Sequence, residues 1–156
     1  MSAGKADKAP KKSRRKAREF AVQGLYQWKL SGGNADAILS QLREDKEYPK
    51  IDEAHLAALL QGVTGGATGL DELIAPFLDR SVGELSPVEH AILLLAAFEM
   101  QHHPEIPYRV VINEAVELAK TYGGTDGHKF VNGVLDKLAA QVRAVEVNAK
   151  LEPQRR

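Results

Sequence analysis

The sequence predicts an all-α protein of about seven helices behind a disordered basic arm. Three observations lead there. From Ser13 onward apolar residues recur with helical spacing, and strand-like alternation is missing. Gly-Gly pairs and prolines interrupt that pattern at intervals that suit helix–helix junctions. Residues 1–12 offer nothing apolar larger than Ala after Met1, so they cannot join a core.

The elements follow in order. Ser13 can cap a first helix from about Arg14 to Leu30, which Ser31-Gly32-Gly33 ends. Asn34 or Asp36 opens a short second helix to about Arg43. Asp52 can cap a third, from Glu53 to about Thr64. Gly65-Gly66 is expected to break the chain before a fourth helix that stops at about Ala75, ahead of Pro76. The fifth has the clearest start. Ser86-Pro87-Val88-Glu89 is a capping box with Pro at the first helical position. It runs to about His102 and is apolar on every face over Ala91–Phe98, which predicts the central buried helix. The sixth spans about Pro107 to Tyr122 and ends at Gly123-Gly124. The seventh starts at Thr125 or Asp126 and continues to about Val145. Three segments result: a basic arm at 1–12, a helical domain at 13–145, and a frayed polar tail at 146–156.

Composition narrows the function. The 156 residues contain no cysteine, which excludes thiol catalysis and Cys-ligated metal. No apolar run reaches the length of a membrane span, and no apolar segment follows the charged start as a secretory signal would require. A cytoplasmic protein without membrane contact is expected. The net charge of +0 hides an asymmetry. Residues 1–18 carry eight basic side chains against Asp7 alone, or +7, so the remainder carries −7. A basic arm on an acidic body suits a polyanion, of which nucleic acid is the usual one.

No catalytic constellation emerges. Gly62–Gly69 is glycine-rich but lacks the Gly-Lys-Ser/Thr ending of a phosphate loop. His102-His103 has no third ligand at metal-site spacing. Nothing assembles a nucleophile, a base and an orienting group, so an enzyme is not expected.

Helical wheels then separate core from surface. On the first helix Ala17, Phe20, Ala21, Gly24, Leu25 and Trp28 share the core face. Val22 and Tyr26 fall on the far side near Arg15 and Glu19, either as a contact surface or as a second layer of core. On the seventh, Val131, Val134, Leu135, Leu138 and Val142 form the apolar stripe. Phe130 lies at its edge, among His128, Lys129 and Asn132. An edge aromatic in a basic, amide-bearing first turn suits single-stranded RNA, because bases stack on rings while amides and cations take base edges and phosphates. On the wheel alone, Phe130 is better read as packing on a neighbouring helix.

Three segments carry a family resemblance: Arg14–Glu19 with Ala21–Tyr26 and Trp28; Ile106–Lys120, reading IPYRVVINEAVELAK; and His128–Lys137, reading HKFVNGVLDK. With the helix order they extend the likeness over Ser13 to Arg143. The chain resembles the NusB family of bacterial transcription antitermination factors. The resemblance implies two small helical sub-bundles packed together, with no cofactor. It implies binding to boxA, a single-stranded element of ribosomal RNA leaders, as a heterodimer with the ribosomal protein NusE. That complex joins RNA polymerase and other Nus factors; no DNA-specific binding is implied. Carried over by position, Arg14, Arg15, Lys16 and Arg18 would meet RNA phosphates. Lys129, Phe130 and Asn132 would form the second RNA surface, with Phe130 stacking and Asp126 close by. Tyr26, Phe77, Glu84 and Glu89 would face NusE, where acids suit a basic partner. Gly83 and Leu94 depart from some relatives, which carry charge there.

Two other readings compete. The same module begins some ribosomal RNA cytosine methyltransferases, but their catalysis needs a cysteine that this chain lacks. A ribosome-assembly or protein-binding factor could instead touch RNA through the arm without sequence preference.

Overall fold

The computed structural model describes residues 12–151. Seven α-helices occupy them: α1 (Arg14–Ser31), α2 (Ala35–Leu42), α3 (Glu53–Ile74), α4 (Pro87–His102), α5 (Tyr108–Tyr122), α6 (Gly127–Val142) and α7 (Ala144–Leu151). Short 3-10 turns at Tyr48–Lys50, Ala75–Phe77 and Val82–Glu84 fill the connections. A parallel bridge between Ser13 and Ile51 ties the start of α1 beside the start of α3. All but Lys12 of the expected arm lies outside the described residues, as do residues 152–156.

The count agrees with the expectation, but two boundaries do not. The chain does not break at Gly65-Gly66. α3 runs through, with a kink at Gly66 (φ −124°, ψ 18°). A glycine in a helix costs only about 1 kcal/mol relative to alanine, which tertiary packing can override. The second correction is at the C-terminus. The expected seventh helix stops at Val142, and the polar tail expected from residue 146 is instead α7 as far as Leu151.

Arg143, at the break, explains this arrangement. Its guanidinium is buried, with Nε donating to the Met100 carbonyl at 2.8 Å and Nη2 to the His103 carbonyl at 3.0 Å. It therefore satisfies acceptors at the C-terminal end of α4, where a cation is favoured. Nη1 binds Glu146 at 2.7 Å, and Glu146 in turn accepts the Tyr108 N–H at 2.8 Å. The residue before α5 is Pro107, which has no capping side chain, so α7 supplies the cap.

Helix α4 is the centre. Its residues from His90 to Met100 are buried except for the half-buried Phe98. It packs on α1 and α3 on one side and on α5 and α6 on the other, so the two groups of helices meet across it. Leu94, one of the departures noted above, is in this core and faces no partner. Gly62 allows the close approach of α3, since a Cβ there would run into the Phe98 ring.

One polar cluster lies inside this core. The Glu99 carboxylate, 1 % exposed, receives the Arg18 Nε at 3.0 and 2.9 Å and contacts His55 Nε2 at 2.6 Å. It thus joins α1, α3 and α4. Arg18 also approaches Glu114 of α5 at 3.9 Å. Glu99→Ala would leave a buried guanidinium without its partner, and the expected loss is about 3–5 kcal/mol in urea unfolding. A loss below about 1 kcal/mol would show that the cluster does not hold these helices.

Asp52 caps α3 by accepting the His55 N–H at 3.0 Å, and it pairs with Arg14 at 3.3 Å. Burial alone would push its carboxyl up. The His55 N–H and the Arg14 guanidinium outweigh that and hold it below the ordinary 3.8. The stabilisation is therefore present above pH 3.8 and lost as pH falls through the depressed folded value. Asp52→Asn keeps the cap acceptor but loses the charge. Its melting temperature should fall below wild type at pH 6, and the gap should close on acidification past pH 3.8. A gap independent of pH would remove the charge from the account.

Candidate nucleic-acid interface

The expected RNA residues divide into two groups at opposite ends of α4. Arg18 meets Glu99 and Lys29 meets His90, so α1 runs antiparallel to α4. The start of α1 therefore lies by the end of α4. The start of α6 lies by the start of α4, where the Glu89 carboxylate sits against Gly127 so closely that a Cβ would collide with it. The 16 residues of α4 rise about 24 Å between these ends.

At the first end, Arg14, Arg15 and Lys16 open α1 behind Ser13, whose hydroxyl accepts the Lys16 N–H at 2.9 Å. Each is already matched with acid. Arg14 pairs with Asp52 at 3.3 Å and Glu105 at 3.8 Å, and Lys16 with Glu47 at 3.7 Å. Arg15 makes a two-pronged bond to Glu114 at 3.1 and 2.9 Å, which raises its pKa further, yet its side chain is 63 % exposed. These three cations are accessible and can exchange a carboxylate for a phosphate.

Arg18 is not in this set. It is 4 % exposed and committed to Glu99, so the phosphate role expected for it is corrected to a structural one. The reason is visible on the helix. Arg18, Val22, Leu25 and Lys29 follow i, i+4, i+7, i+11 and form a second stripe against α4. Val22, 2 % exposed, belongs to that layer of core, whereas Tyr26 is 40 % exposed. Of the two readings of that face, the second layer of core holds for Val22, and Tyr26 stays exposed.

At the second end, Asp126 adopts a left-handed conformation (φ 64°) that turns the chain into α6. Lys129 projects from the first turn and pairs loosely with Asp126 at 3.4 Å. Asn132 is exposed one turn on. Phe130 is half-buried against the core, and the Arg80 guanidinium lies over its ring at 4.3 Å from the centroid. Sequence reasoning missed Arg80, which sits in the loop between two 3-10 turns and carries no periodic signal. Asp79 holds it from the side at 2.7 Å and is the main cause of its raised pKa, to which the negative charges of Glu89 and Glu84 add. Arginine stacked on an aromatic ring presents a flat cationic face.

The expected protein-facing residues adjoin this end. Glu84 is exposed and closes its own turn by accepting the Ser81 N–H at 2.9 Å. Phe77 and Glu89 are half-buried. Tyr26 lines an apolar groove of about 280 Å³ with Val22, Gln23, Val88 and Tyr122. Tyr122 is a second exposed aromatic that the sequence had placed only as a helix end. Val88, on the wall of the groove, is followed in α4 by Glu89, whose charge reaches Arg80.

Comparison with known proteins places this arrangement. Residues 15–140 match the model of the NusB family. The chain is 61 % identical over 134 residues to transcription antitermination protein NusB of Nitrosospira multiformis, covering 86 % of this chain and 85 % of that one. It is 56 % identical over 149 residues to transcription antitermination protein NusB of Ralstonia nicotianae, covering 96 % of each. Its fold matches the solved structure of T. maritima NusB with a TM-score of 0.74 at 30 % identity, over 85 % of this chain and 94 % of that one. Matched along most of its length in both sequence and fold, the chain belongs to the NusB family of transcription antitermination proteins.

Proposed function

We propose that this protein binds single-stranded boxA RNA of ribosomal RNA leaders together with the ribosomal protein NusE, and that the pair joins RNA polymerase and other Nus factors to suppress termination. It does so in the cytoplasm. The observation that carries this reading is the Phe130–Arg80 stack with Lys129 and Asn132 exposed beside it. A base can lie on the guanidinium, or replace it on the ring. Asn132 can read a base edge, and Lys129 can take the adjoining phosphate. Arg14, Arg15 and Lys16 hold the strand again about 24 Å away, one α4 length. An RNA that reaches both groups crosses the molecule.

NusE, a basic partner, suits the other part of the surface. Tyr26 and Tyr122 give it an apolar groove, and Glu84 and Glu89 give it acids at the groove's end. Because Arg80 senses both acids, the protein-facing and RNA-facing regions are contiguous, and occupation of one alters the field at the other.

The direct test is fluorescence anisotropy of labelled boxA against a scrambled RNA, with and without NusE, at two salt concentrations. Preference for boxA that sharpens with NusE supports the adaptor. Equal, salt-sensitive binding to both RNAs would favour an assembly factor with phosphate contact only. In that assay Phe130→Ala should weaken boxA binding by about 1–3 kcal/mol. Arg80→Ala should weaken it less and lower the salt slope by about one. Unchanged affinity in both folded variants would remove this end from the RNA site. The double replacement Tyr26→Ala, Tyr122→Ala should reduce NusE capture at least tenfold in a titration; an intact complex would move NusE elsewhere.

A further inference from the structure

An ionic chain leads from the surface of α1 into the core. Its outer member is Arg15, whose Nε and Nη2 donate to the two carboxylate oxygens of Glu114 on α5 at 3.1 and 2.9 Å. The arginine side chain is 63 % exposed, the glutamate only 16 %. Glu114 Oε1 also lies 3.9 Å from Arg18 Nη1, beyond hydrogen-bond distance. Arg18 is buried and turns its Nε to Glu99. One carboxylate thus stands between an exposed arginine that it holds and a buried arginine that it nearly reaches.

The surroundings of Arg15 are acidic. A cleft of about 110 Å³ is lined by Arg15, Glu19, Glu114, Glu117, Leu118 and Thr121, so the one cation of that lining faces three carboxylates. Glu114 first, and Glu117 and Glu19 after it, raise the Arg15 pKa. Held in this way, Arg15 offers a polyanion little. Glu114 offsets its charge, and a phosphate at its remaining edge would lie in the field of the other two acids. The Nε–Nη2 edge is one that a phosphate takes in the same two-pronged manner as a carboxylate. The two anions therefore compete for one set of donors. Release does not strand Glu114. A largely buried carboxylate without a cation is disfavoured, but Arg18 Nη1 has only about 1 Å to close to bond it.

We propose, on the RNA reading given above, that Glu114 is a built-in competitor of RNA phosphate at Arg15 and transfers to Arg18 when RNA takes Arg15. It sets how strong an anion must be to open this end of the molecule. Arg14 and Lys16 are held more loosely, at 3.3–3.8 Å, and exchange first. A strand bound by those two presents its next phosphate to Arg15 at high local concentration and displaces Glu114, whereas an isolated anion does not. The bond gained, Glu114 to Arg18, joins α5 to α1, so binding tightens the contact between these helices.

The test is anisotropy titration of the full chain with labelled boxA and scrambled RNA. Any lost acid favours RNA a little, and Glu117→Gln measures that background. Glu114→Gln should bind both RNAs about fivefold more tightly than Glu117→Gln, the order that an exposed ion pair of good geometry carries. In an Arg15→Ala background the gain should vanish. Glu114→Asp keeps the charge but withdraws it by one methylene, and should give part of the gain; if Glu114→Gln does not fold, this variant decides. If Arg15→Ala alone binds both RNAs as wild type does, the RNA reading of this end fails and the competitor fails with it. If Arg15→Ala weakens binding but Glu114→Gln gains no more than Glu117→Gln, the RNA reading stands and the competitor is overturned. A gain that persists without Arg15 would overturn it too. So would weaker binding by Glu114→Gln, which would make Glu114 a support that aims Arg15 at RNA.

Discussion

A single carboxylate, Glu99, determines how the N-terminal half is assembled. It lies within the central helix, where an unpaired charge is strongly disfavoured, so α1 must bring Arg18 to it and α3 must bring His55. Hydrophobic burial draws the helices together without specifying their register; the Arg18–Glu99 bond specifies it. Its counterpart at the far end of the same pair is Lys29 with His90. With both ends of α1 pinned, Arg14–Lys16 and Tyr26 have no freedom in where they emerge.

In the C-terminal half a charge pair, Arg143 with Glu146, acts through the backbone groups it satisfies. Arg143 takes the free carbonyls at the end of α4, and Glu146 takes the free N–H at the start of α5. The connection between α4 and α5 is thus closed from outside by a residue pair three apart on the chain. This orders α7 and fixes the direction in which α5, and then α6, leave the central helix. The first turn of α6, with Phe130 and Lys129, inherits its place from that direction and from the contact of Gly127 with Glu89.

Much of the fold was legible because its signals are local. The Ser86, Asp52 and Asn34 caps, Pro87 and the Gly123 stop each act within a turn or two of chain and stand where the spacing placed them, although the Glu89 side chain turns to Gly127 and does not complete the expected capping box. The misreadings came where a distant residue decides. Gly66 ends a helix in isolation, but α3 continues because both of its halves pack on other elements. The chain past Val145 looks like a tail until the partners of Arg143 and Glu146 are known. Arg18 stands in a run of arginines that otherwise face solvent, and only the apolar Val22 one turn later hinted at its burial. Arg80 gave no hint, because its value lies in a ring fifty residues away.

The separation of the two cationic ends by the length of α4 has a further meaning. On the RNA reading proposed above, a rigid helix with a grip at each end is a gauge. A short oligonucleotide can engage either grip but not both, and its two half-affinities never multiply. A strand long enough to span the helix gains the second contact as an intramolecular event, at the high local concentration that tethering provides. The bundle would then select ligands by reach as well as by base identity, and the buried, incompressible core between the grips sets the threshold length.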